Sequence, residues 1–204
     1  MDDTPRVVSR RTFIKGVIAG GAVAYSGSYL FRGTGALLAQ VSGSGAVERL
    51  IRLKVNGQQR PVDVARQEML AMTLRYKLGL TGTKLGCDRA ECGSCTVLID
   101  GVPHYACSVL THTVRGREVT TIEGLAGPAG ELNPVQQAVV DGAGFQCAFC
   151  APGFIMSATA LLKENPHPTR RQAAEALSGN LCRCGDYNKI LDCVMRAPEY
   201  VRRG

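Results

Sequence analysis

The chain has 204 residues, of which 45% are hydrophobic and 20% charged, with a formal net charge of +7 and no tryptophan. That balance excludes a disordered or collagen-like polymer and fits one or two modest globular domains. Five basic and two acidic residues fall within positions 1–46, so that segment carries +3 and the remainder only +4, with no dense basic run; no nucleic-acid partner is expected. The composition is unusual in one respect, nine cysteines in a chain of this size.

The amino terminus reads as a targeting segment. Ser9-Arg10-Arg11-Thr12-Phe13-Ile14-Lys15 has the form of a twin-arginine export signal, and residues 16–31 follow without a charge. Arg32 interrupts the apolar stretch after sixteen residues, short of the about 20 that a spanning helix needs. Small residues at Ser44-Gly45-Ala46 suit cleavage after Ala46, and residues 36–39 offer a weaker site. The expected location is the periplasm, with the periplasmic face of the inner membrane as a variant. Attachment there would run through a partner or an uncleaved signal.

Strands follow. Ile51, Leu53 and Val55 alternate with Arg52 and Lys54, the period of a half-buried strand. Asn56-Gly57 is a favourable two-residue hairpin turn, and Val62 and Val64 flank Asp63 on the return strand. Leu70, Leu74 and Leu78 predict a helix over 69–78 with one buried stripe, ended by Gly79. A second hairpin is predicted from Thr96–Ile99, the turn Asp100-Gly101, and Val102 to Cys107. The second half reads as short helices. One is capped by Asn133 with Pro134 behind it, a second opens at Pro152, a third has the capping box Thr169–Gln172, and the last starts near Asp186. The fold class is therefore α+β. The expected boundaries are a signal segment 1–46, a first domain 47–123, a Gly-Pro-containing linker 124–130, and a helical domain 131–204.

The cysteines map onto these halves. Cys87, Cys92 and Cys95 form C-x4-C-x2-C, with Cys107 on the next strand, the plant-type [2Fe–2S] spacing. Gly86 and Gly93 in that loop let backbone N–H groups approach sulfur. The second set is Cys147 and Cys150 with Cys182 and Cys184, each pair at a junction of loop and helix. Four disulfides or structural zinc are the duller readings. Cys182 and Cys184 are poor partners for each other, and zinc sites usually pair two C-x2-C units. A twin-arginine route, which carries folded proteins, suits clusters assembled before export. Cys193 is read as a small buried hydrophobe. His104, His112 and His167 lack ligand spacing and are read as surface or packing residues.

The run Leu80-Thr81-Gly82-Thr83-Lys84-Leu85-Gly86-Cys87-Asp88 with Cys92-Gly93-Ser94-Cys95-Thr96-Val97 resembles the small iron–sulfur subunit of the molybdenum hydroxylases. Thr121 to Leu125, Gln146-Cys147, Cys150, Pro152-Gly153 and the run Gly179 to Cys184 extend the resemblance over about residues 48–196. Ala90, Ser94, Ala148, Ala151 and Gly185-Asp186 depart from the family's commonest residues without removing a cysteine. The resemblance implies a plant-type ferredoxin (β-grasp) domain followed by an all-α helical-bundle domain, each holding one [2Fe–2S] cluster. It also implies a partner large subunit with a molybdopterin cofactor and an acceptor that is an FAD subunit or cytochrome c. Electrons pass from the large subunit to that acceptor, and no residue of this chain is catalytic. By position, Gln146 and Cys184 would lie beside the pterin. The implied substrate is an aldehyde, with an N-heterocycle as the alternative. A stand-alone ferredoxin would need only residues 48–122, and no nucleotide-binding motif is present.

Replacing the arginine pair by Arg10→Lys with Arg11→Lys keeps the charge but loses the planar guanidinium fork. The doubly substituted protein should stay in the cytoplasm with its clusters intact. Normal export, measured by fractionation, would show that the pair is not the address.

Overall fold

The computed structural model describes residues 11, 13–18 and 49–201. Within the unit Met1–Ala46, the described positions are helical and exposed. Arg10, most of the apolar stretch and the expected cleavage site at Ala46 lie outside the described residues. No helix among the described residues is long and apolar enough to cross a membrane.

The unit Val47–Gly204 opens with β1 (Leu50–Val55) and β2 (Gln58–Asp63), paired antiparallel from Leu50↔Asp63 to Val55↔Gln58. Ile51, Leu53 and Val55 all face the core. The turn works as the sequence requires, since Asn56 (φ 53°) and Gly57 (φ 74°) both take the left-handed conformation. The second hairpin joins β3 (Thr96–Ile99) to β4 (Val102–Tyr105) through Asp100 and Gly101, again both at positive φ.

A fifth strand, β5 (Glu118–Thr120), carries too short a pattern to be read from the sequence. It pairs parallel with β1 and antiparallel with β3, giving the order β2-β1-β5-β3-β4. Its one fully buried residue, Val119, sits at the centre of the sheet. Both hairpins are therefore held by a three-residue strand.

The helix predicted over 69–78 is only partly α-helical. α1 spans Leu70–Met72 and continues as a wide π turn over Thr73–Lys77, closed by Leu78 N–H to the Thr73 carbonyl at 3.1 Å. The wide turn brings Thr73 inward beside Leu74, where its hydroxyl bonds the Thr111 hydroxyl at 2.8 Å and the Glu68 carboxylate at 2.7 Å. A buried polar group of this kind must be satisfied, and a spacing of leucines does not report it. Gly79 ends the helix at φ 70°.

The remaining helices are α2 (Pro134–Asp141), α3 (Ala151–Glu164), α4 (Arg170–Ala176) and α5 (Tyr187–Val201). Capping boxes close the starts of α2 (Asn133 with Gln136) and α4 (Thr169 with Gln172). Val135, Ala138, Phe154, Ala158, Ala173, Leu177, Ile190 and Val194 fill a core of their own, distinct from the cluster beneath the sheet. Cys193 is buried in α5, with its sulfur against Gly142 and Gly144, as a small packing residue.

The two cores meet along α3 and the loop before β3. Asn180 Nδ2 donates to the Gly93 carbonyl at 2.9 Å, and the Ser157 hydroxyl donates to Asn180 Oδ1 at 2.8 Å. The Tyr105 hydroxyl donates to the Gly179 carbonyl at 2.7 Å. Gly153 of α3 lies so close that a Cβ there would collide with the Gly93 carbonyl oxygen. Overpacking a tight contact costs about 1–3 kcal/mol, and this obstacle is backbone rather than a movable side chain. Gly153→Ala should therefore lower stability by about 2 kcal/mol or more in chemical denaturation. Glu164→Ala on the exposed end of α3 should change it by less than about 0.5 kcal/mol. Equal effects would mean that the seam is not tightly packed.

Candidate functional site

The loop from Gly86 to Cys95 is shaped by residues in the left-handed region, Asp88 (φ 53°), Ala90 (φ 61°) and Gly93 (φ 69°). Such bends turn successive N–H groups toward one side, a concavity suited to negative charge. Here they face sulfur. Glu91 and Cys92 N–H groups each lie 3.3 Å from Cys87 Sγ, and Ala90 N–H lies 3.2 Å from Cys107 Sγ. The N–H of Arg89, then those of Glu91 and Cys92, outweigh burial and bring the Cys87 thiol down to about 7. Burial instead pushes Cys95 up to about 12. A Cβ at Gly86 would press on Cys92 Sγ, so only glycine leaves room there.

The four thiols of this set pair two and two. Cys87 interacts with Cys92, and Cys95 with Cys107, with Cys92 in electrostatic reach of Cys95. The second set repeats the arrangement. Cys147 interacts with Cys184, and Cys150 with Cys182. Cys147 and Cys150 interact, as do Cys182 and Cys184. The Phe149 N–H and then the Cys184 side chain lower Cys147, while burial and then Cys182 push Cys150 up to about 12. None of the nine cysteines is in a disulfide. No group of three or more His, Cys, Asp or Glu among the described residues closes up as a single-ion site.

Two thiols per iron on two irons is the ligand set of a [2Fe–2S] cluster. Both quartets fit it by their chemistry, their pairing and the N–H groups turned on sulfur. Cys87 with Cys92, and Cys95 with Cys107, would each hold one iron. Cys147 with Cys184, and Cys150 with Cys182, would do the same in the helical half.

The sets share a cleft of about 330 Å³, lined by Gly86, Cys92, Cys147, Phe149 and Cys182 among others. Across it the Leu181 N–H donates to the Cys92 carbonyl at 2.9 Å, joining the neighbour of one predicted ligand to another ligand of the opposite set. The second set is graded in exposure, with Cys150 and Cys182 buried and Cys147 and Cys184 open to solvent.

Gln146 stands exposed beside Cys147. Its N–H and Nε2 donate to the two carboxylate oxygens of Asp186 at 3.0 and 2.8 Å. These two bonds, with the side chain's first, hold the Asp186 carboxyl below its usual range. In the sequence Asp186 is legible only as a helix start and a departure from a motif. The buried Asn180, which clasps the seam, is legible only as a letter within one. The three histidines stay apart from both quartets: His167 is exposed and His112 has a buried Nε2 without a partner.

Comparison with known proteins agrees with this geometry. Residues 53–119 match the family described as "2Fe-2S iron-sulfur cluster binding domain", and residues 121–195 match "[2Fe-2S] binding domain". The chain is 47% identical over 151 residues to the nicotine 6-hydroxylase small subunit of Paenarthrobacter nicotinovorans, covering 74% of this chain and 90% of that one. It is 40% identical over 167 residues to the aldehyde oxidoreductase iron–sulfur-binding subunit of Escherichia coli K12, covering 74% and 72% respectively. Among solved structures, quinoline 2-oxidoreductase from Pseudomonas putida 86 superposes with a TM-score of 0.72 at 40% identity, over 77% of this chain and 99% of that chain.

Because the quartets occupy separate cores, Cys92→Ser should remove one [2Fe–2S] EPR signal from the reduced protein and leave the other. Loss of both signals from that single change would argue for one shared site.

Proposed function

The chain belongs to the family of [2Fe–2S] small subunits of xanthine- and aldehyde-oxidoreductase-type molybdenum hydroxylases, and from that premise we propose how its residues divide the work. It is the electron-transfer subunit of an oxidoreductase complex whose molybdopterin lies on a large subunit. We assign Cys87, Cys92, Cys95 and Cys107 to one cluster and Cys147, Cys150, Cys182 and Cys184 to the other. Each cluster, when bound, takes up and returns one electron.

This chain's own residues set the conditions for that exchange. N–H groups of Ala90, Glu91 and Cys92 stabilise charge on sulfur, and burial of Cys95, Cys107, Cys150 and Cys182 keeps water from the inner thiolates. One observation carries the orientation. Phe149, Leu181 and Tyr187 are 47%, 52% and 43% exposed around the open thiols Cys147 and Cys184. An apolar rim about a functional group is the make-up of a protein–protein contact. The molybdenum subunit covers this rim, which sets Gln146 and Cys184 against its pterin. The plant-type loop instead exposes Asp88, Arg89 and Glu91, a charged edge suited to a transient acceptor, an FAD subunit or cytochrome c.

The substrate belongs to the large subunit. An aldehyde and an N-heterocycle are each represented among the relatives, and the 47% identity to a nicotine 6-hydroxylase subunit favours the second. Export by the twin-arginine route would place the complex in the periplasm, with membrane association through a partner or a retained signal. That part rests on Arg10-Arg11 and the uncharged stretch behind them.

Leu181→Glu puts a charge into the apolar rim while leaving the backbone bond to Cys92 in place. It should weaken binding to the large subunit about tenfold or more, with the visible absorbance of both clusters retained. Unchanged binding, measured by analytical ultracentrifugation, would contradict the docking face.

A further inference from the structure

Asp186 is buried to 5% exposure at the start of α5, and both oxygens of its carboxylate accept from a single residue. One oxygen accepts the Gln146 backbone N–H at 3.0 Å and the other accepts Gln146 Nε2 at 2.8 Å. An amide side chain has a donor end and an acceptor end, and in most settings either can face a neighbour. Here the neighbour decides. An ionised carboxylate only accepts, so the NH2 group must face Asp186, and Oε1 is the end turned away from it. Gln146 is itself exposed and adjoins Cys147, whose thiol is open to solvent.

We propose that Asp186 is a positioning residue that locks Gln146 with its amide oxygen outward, so that position 146 takes an N–H donor from the molybdenum subunit. This rests on the docking face assigned above. The donor is an N–H of that subunit's pterin or of its polypeptide, and both present the same chemistry to Oε1.

The polarity can be reversed with one atom. In Asp186→Asn the backbone N–H of Gln146 still demands an oxygen, so the new NH2 group must face the Gln146 side chain. That side chain then turns its oxygen inward and its NH2 outward, opposing donor to donor at the interface. Adding Gln146→Glu restores an acceptor outward, because one oxygen of the introduced carboxylate accepts from the introduced amide and the other faces out. The double variant also returns the net charge at the pair to its original value.

Binding of the full chain, with both clusters loaded, to its large subunit is the measurement. Asp186→Asn should weaken it about tenfold, the worth of one well-placed hydrogen bond, and Asp186→Asn with Gln146→Glu should recover most of the loss. Visible absorbance and melting temperature of each variant show that the fold and clusters persist. The same titration with large subunit from cells unable to make molybdopterin separates the sources. An effect confined to the cofactor-loaded subunit assigns the donor to the pterin, and an equal effect on both assigns it to the polypeptide. Unchanged binding of Asp186→Asn, or no recovery in the double variant, overturns the proposal if Leu181→Glu still weakens the complex. If Leu181→Glu also binds normally, the docking face has failed.

Discussion

The structure depends on the contact between the Gly93 carbonyl and the Asn180 amide. Gly93 lies between two predicted ligands of one quartet, and Asn180 lies two residues before Cys182 of the other. A hydrogen bond of 2.9 Å therefore helps tie the loop of one site to the loop of the next. Asn180 is 3% exposed, and Ser157 satisfies its oxygen while Gly93 satisfies its nitrogen. A buried amide with both ends engaged adds little net energy but is costly to misplace. It fixes register rather than supplying bulk stability. The absence of a side chain at Gly153 permits the approach, and the Leu181 bond to the Cys92 carbonyl runs beside it.

The thiol environments follow from that seam. Each quartet has well-buried members and members nearer solvent. Isolated buried thiolates are unfavourable, and Cys95 and Cys150 are accordingly pushed up to about 12, chiefly by burial. Cys87 and Cys147 behave differently because N–H groups reach them first, that of Arg89 on Cys87 and that of Phe149 on Cys147. Metal loading must thus deprotonate Cys95 and Cys150 against burial, while Cys87 and Cys147 meet preorganised donors. The loops carry local strain to do so. Ala90 and Ala148 adopt φ of 61° and 57°, a conformation that costs an L-residue about 1 kcal/mol or more.

Much of the molecule could be read from the chain. β1, both hairpin turns, the two capping boxes and the buried stripes of the helices are local patterns, and local patterns survive in sequence. β5 did not survive, because three residues with one buried valine carry no period. The π turn was hidden because the contact that accompanies it, the Thr73 bond to Thr111, spans 38 residues. The eight ligand candidates were legible from spacing. Their pairing, the Asn180 clasp and the Asp186 grip on Gln146 were not, since each joins segments brought together only by packing.

One compact unit of this chain thus holds two separate [2Fe–2S] clusters. Iron and acid-labile sulfide analysis of the purified protein, combined with a reductive titration, tests this most directly. About four irons and four sulfides per chain, taking up about two electrons, are expected. Zinc in place of iron, or about two irons and a single electron, would contradict it.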